Sequence, residues 1–127
     1  MTLKKLLGLD GITCALMGVV LVTAAPALEV VLDLPQHLLL AAGYLLFPIA
    51  AFMAAMAWWT STWMPGVRLI IAGNLAWVAA SIAVLLLTGP NALGAVFLVA
   101  QALVVALLAL AEARAVAQTP QIARGTL

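Results

Sequence analysis

Apolar residues fill four long runs of this chain, and polar or turn-forming residues are confined to the short gaps between them. The runs cover about residues 6–28, 36–59, 67–87 and 92–113. A helix needs roughly 20 mostly apolar residues to cross the hydrocarbon core of a bilayer, and each run is long enough. The pattern predicts an all-α, polytopic membrane protein: a four-transmembrane-helix antiparallel bundle over residues 1–117, followed by a flexible cytoplasmic tail, 118–127.

The gaps carry the turn chemistry. Glu29 to His37 reads as the first loop, with Pro35 where a helix can begin because its missing N–H is not needed there. Thr60 to Val67 reads as the second. It holds the Pro65-Gly66 turn signal and the Trp58, Trp59 and Trp63 cluster, and indoles favour the headgroup level of a membrane. Thr88-Gly89-Pro90-Asn91 is so short that the third and fourth helices must be neighbours running in opposite directions. Pro48, with Gly43 and Tyr44, marks the second span as a kinked, deformable helix.

The start of the chain needs separate thought. Lys4 and Lys5, an apolar run and Ala25-Pro26-Ala27 share features with a signal peptide. The run is longer than the usual apolar stretch of about 7–15 residues in such a peptide. Asp10 and Gly11 also interrupt it. The expectation is a true first span, ended by Pro26.

Composition strengthens the membrane reading. Of 127 residues, 68% are hydrophobic and 7% are charged. A small water-soluble body could not hide that much apolar surface. The net charge of +1 and the lack of a basic tract give no support to nucleic-acid binding. Cys14 is the single cysteine, so no internal disulfide is possible.

Charge does set direction. Lys4, Lys5, Arg68, Arg114 and Arg124 all fall on the side shared by the two termini and the middle gap. Glu29 and Asp33 fall on the other side. The positive side of a membrane protein is cytoplasmic, so both termini are expected in the cytoplasm, with the bacterial plasma (inner) membrane as the expected location. So strong a bias argues against a chain that inserts both ways round.

Few groups within the runs are polar. Asn74 and Gln101 read first as interhelical glue, worth about 0.6 kcal/mol on average per such bond. On that estimate Asn74→Leu leaves folding nearly intact. Asn74, Trp77 and Ser81 share one face of the third span at helical spacing. Asn74, Trp77, Gln101 and Asp10 together form the candidate intramembrane polar site. Asp10 is a functional candidate because ionisable groups within spans are costly. Its alternative is an interfacial acid, hydrated or paired with Arg68 or Arg114. Glu112 and Arg114 read as boundary charges of the fourth span.

Small residues make up the candidate packing surfaces. Ala72, Ala76 and Ala80 recur every four residues on the third span, and Gly11 and Gly18 lie on the first. Small residues at such spacing let helices approach closely. Glu29, Asp33 and His37 also recur every four residues, but Pro35 interrupts them, and two carboxylates with one histidine are a poor structural zinc set.

No nucleophile–base set, HExxH spacing or glycine-rich phosphate loop is present in the sequence, so neither an enzyme nor a cofactor is expected. The leading expectation is a small integral membrane protein acting through helix–helix association, with the lipid bilayer around it and itself or another membrane protein as partner. The alternative is a transporter or channel for a small or apolar solute using Asp10, Asn74, Trp77 and Gln101, with the kinked second span moving. A third is a ligand- or lipid-binding module between the second and third spans.

Overall fold

The computed structural model describes residues 2–59 and 62–118. Five helices follow one another: α1 (Leu3–Thr23), α2 (Ala25–Leu32), α3 (Gln36–Trp58), α4 (Met64–Thr88) and α5 (Ala92–Ala117). Four of them, all but α2, are long and apolar enough to cross a membrane. No more than a third of each is buried by the rest of the protein, and large apolar side chains such as Leu16, Leu86, Leu103 and Leu107 point outward.

The helix ends follow from local chemistry. The Thr2 hydroxyl accepts the Lys5 N–H and caps α1. Pro26 does more than end the first span. Lacking an N–H, it sits in the first turn of a new helix, α2, after a break at Ala24. Of the expected loop from Glu29 to His37, residues 29–32 are therefore helical in α2, and 36–37 already belong to α3. The helix stops at Leu32, where Asp33 takes a left-handed conformation (φ 55°, ψ 48°), tolerable because Asp enters that region more readily than most residues. Glu29 Oε2 accepts the N–H of Gln36 at 2.6 Å, satisfying an otherwise open donor at the start of α3. Pro65 likewise opens α4 within its first turn instead of forming a turn with Gly66. Asn91 caps α5 by accepting the Gly94 N–H, and donates its own amide to the Val31 carbonyl. That second bond fastens the α4–α5 turn to the end of α2. Residues 119–127, most of the expected tail, lie outside the described residues.

The helices pack in two tight pairs, α1 with α3 and α4 with α5. Gly43 makes the first pair close. A Cβ there would come within 2.9 Å of Leu21 Cβ, and one on Gly18 would come within 3.1 Å of the Gly43 carbonyl. Gly11 faces Met53 and the Ala50 carbonyl on the same helix. The two pairs meet where α1 touches α5, while α3 and α4, consecutive in sequence, barely meet. Two apolar clusters close the ends of the molecule. Leu21, Leu32, Leu39 and Leu98 gather near α2, and Leu7, Met53, Val67 and Ile70 gather at the other end.

Candidate functional site: two polar layers beside an open cleft

Between the apolar clusters lie two groups of hydrogen-bonded side chains. The first joins three helices. Asn74 Nδ2, on α4, lies 2.7 Å from Asp10 Oδ2 on α1 and 3.1 Å from Glu112 Oε1 on α5. A primary amide has two N–H groups, so one side chain serves both carboxylates. All three are buried: Asp10 is 1%, Asn74 5% and Glu112 0% exposed. Cys14 Sγ lies 3.7 Å from Asp10 Oδ1 and 3.8 Å from Met53 Sδ. At 1.5 Å rise per residue, the layer sits roughly 10 Å inside the helix ends.

Two sequence expectations are corrected by this geometry. Asp10 is neither hydrated nor paired with Arg68 or Arg114. Its partners are an amide and a thiol, and both arginines are exposed. Glu112 is not a boundary charge but one of the most completely buried side chains. The signal for it was available: Leu98, Ala102, Ala109 and Glu112 follow one another at helical intervals along the buried face of α5, whereas Arg114 projects outward.

The second group joins α4 to α5. Trp77 Nε1 donates to Gln101 Oε1 at 2.8 Å. Gln101 Nε2 donates to Ser81 Oγ at 2.7 Å and to the Leu98 carbonyl at 3.0 Å. Ser81 Oγ donates back to the Trp77 carbonyl at 2.8 Å. The face shared by Asn74, Trp77 and Ser81 is thus divided: Asn74 turns to Asp10 and Glu112, while Trp77 and Ser81 meet Gln101.

Beside both layers, the poorly closed seam between α3 and α4 leaves two cavities. One, of about 420 Å³, runs past Pro48, Phe52, Leu69, Gly73, Asn74 and Trp77. The other, of about 290 Å³, runs past Leu38, Ala42, Leu45, Ser81, Phe97 and Gln101. Leu45 and Trp77 line both. The walls are apolar, and the few polar groups that reach them belong to the two hydrogen-bonded layers.

The remaining candidates fall elsewhere. Gly11 and Gly18 face α3 within the chain. Ala72 and Ala76 lie on an exposed face of α4, and Ala80, also exposed, borders the smaller cavity. Tyr44 is exposed. Among the described residues, no three His, Cys, Asp or Glu side chains gather as a metal site would need. Compared with protein-family models, curated proteins and solved structures, the chain matches none.

Proposed function

We propose that this is a polytopic membrane protein that admits a small apolar solute from the bilayer into the cleft between α3 and α4, and that it acts as a carrier or binding module for that solute. The observation that carries the reading is the seam itself. Consecutive helices of a bundle normally pack, yet here the seam holds cavities in the size range of small-molecule sites, about 300–1,000 Å³. Apolar walls with a few fixed polar groups are what such sites use to hold and orient a ligand. Pro48 faces the larger cavity and removes a hydrogen bond from the α3 backbone, making α3 the helix best able to move. On this reading the chain runs as an antiparallel bundle in a bacterial inner membrane. The lysine and arginine side, with both termini, faces the cytoplasm.

Photolabelling with a small apolar diazirine tests the proposal. Adducts concentrated on Leu45, Phe52, Leu69 and Trp77 support a site. Labelling spread evenly over these and outward-facing residues such as Leu86 and Leu107 means that the seam is ordinary lipid-facing surface.

A second reading is favoured by a different surface. Ala72, Ala76 and Ala80 form a smooth exposed strip on α4, and such strips let helices from separate chains approach closely. Association through this strip, with a second copy or another membrane protein, would meet the cleft at Ala80, which also lines the smaller cavity.

A further inference from the structure

Two buried carboxyl groups, Asp10 and Glu112, come together from opposite ends of the sequence, and no salt bridge to either is found among the described residues. The side chains around the pair are Cys14 on α1, Met53 on α3 and Asn74 on α4. Among the described residues, Cys14 is the only other titratable group bonded to the pair; Lys5, Arg68 and Arg114 are exposed. Counting donors against acceptors exposes a deficit. Asn74 supplies one N–H to Asp10 Oδ2 and one to Glu112 Oε1, and the Cys14 thiol lies beside Asp10 Oδ1. The fourth oxygen, Glu112 Oε2, is fully buried and has no hydrogen-bond donor. A buried acceptor without a partner is rare in a native protein and calls for an explanation.

We propose that Asp10 and Glu112 form a single-proton site inside the apolar interior, holding one proton between them. The two carboxyl groups are brought together by one nitrogen, Asn74 Nδ2, which lies 2.7 Å from Asp10 Oδ2 and 3.1 Å from Glu112 Oε1. A proton on Glu112 Oε2 turns this unpartnered oxygen into a neutral hydroxyl and leaves a single negative charge on the pair. Binding takes one H⁺ from water and changes the charge of the pair from −2 to −1; release returns it. Two like charges in contact in an apolar site cannot both persist without a counter-charge. A metal cation would want oxygen ligands turned toward it, but Asn74 presents its nitrogen to both acids, the orientation that suits a carboxylate–carboxylic acid pair. Asn74 also lines the larger cavity, so the protonation state can be felt at the cleft wall. The proton site itself does not depend on what the cleft holds.

Infrared spectroscopy of the full chain in lipid vesicles at neutral pH tests this. The sequence has only four acidic side chains, and two of them, Glu29 and Asp33, are exposed and lie outside the buried layer. The expected spectrum shows a carboxylic-acid carbonyl band equivalent to one group per chain. Either Asp10→Asn or Glu112→Gln abolishes the band, because the new amide donates to the remaining carboxylate. The wild-type spectrum alone is decisive if a variant fails to fold. No band, a band of two equivalents, or a band displaced by sodium at constant pH overturns the proposal. So does a band that survives in either folded single variant, which indicates an acid neutralised by burial alone.

Discussion

Asn74 reaches Asp10 at 2.7 Å and ties α4 to α1, two helices that otherwise scarcely meet. Its second N–H reaches Glu112 on α5, so one amide holds three helices at one level. The weight on that residue exceeds the average for a membrane hydrogen bond.

Asn74→Leu therefore costs more than the ~0.6 kcal/mol expected of simple glue. Leaving two buried acceptors without donors costs about 1–3 kcal/mol each. The expected loss is ~2–6 kcal/mol, read by unfolding in mixed micelles with increasing SDS. A loss of ~0.6 kcal/mol or less means that the three-way contact does not form.

The glycines separate close packing from open space. Gly43→Ala places a Cβ within 2.9 Å of Leu21 Cβ and is expected to cost ~1–3 kcal/mol through overpacking. Gly73→Ala meets nothing within 4 Å and is expected to be neutral or mildly stabilising, since alanine is the better helix former. The same SDS titration compares the two, and equal effects contradict the packing described.

Gln101→Leu removes the acceptor of the Trp77 indole and the donor to Ser81. The expected cost is ~1–3 kcal/mol for the orphaned N–H. Its signature is faster hydrogen exchange at that indole, followed by NMR. An exchange rate unchanged from wild type removes Gln101 as the partner.

How much of this was legible in the sequence depended on the kind of signal. The four apolar runs mark four long helices because length and hydropathy survive without tertiary information. Pro26 and Pro65 were misplaced by one element each. A proline breaks a helix but also suits the first turn of the next, and sequence alone does not separate the two roles. Asp10 and Asn74 stood out as polar residues within apolar runs. Glu112 did not, because it lies near the end of its run beside Arg114, where charges are ordinary. Which faces met was hidden for a physical reason. These helices are apolar on nearly every side, so no stripe distinguishes the inward from the outward face. The open seam between α3 and α4 depends on such facings and left no mark in the residue pattern.

The exposed alanine strip gives its own expectation. In a Cys14→Ala background, Ala76→Cys is expected to form disulfide-linked dimers in the membrane if two copies meet there. Ala102→Cys, whose position is buried, is expected to remain monomeric. Equal cross-linking of the two indicates random collision, and none at Ala76→Cys excludes self-association through this face.

The most direct measurement concerns Trp77, which lines both cavities. Replacing Trp58, Trp59 and Trp63 with Phe leaves Trp77 as the single tryptophan, excited selectively above the Tyr44 absorption. A brominated alkane added to vesicles containing this variant is expected to quench Trp77 saturably. Filling the cleft with Gly73→Leu, at a position with open space around it, is expected to weaken that quenching at least several-fold. Quenching that rises linearly with bromoalkane content and is indifferent to Gly73→Leu would show that lipid-like solutes only brush past an outer surface, and that no site exists between α3 and α4.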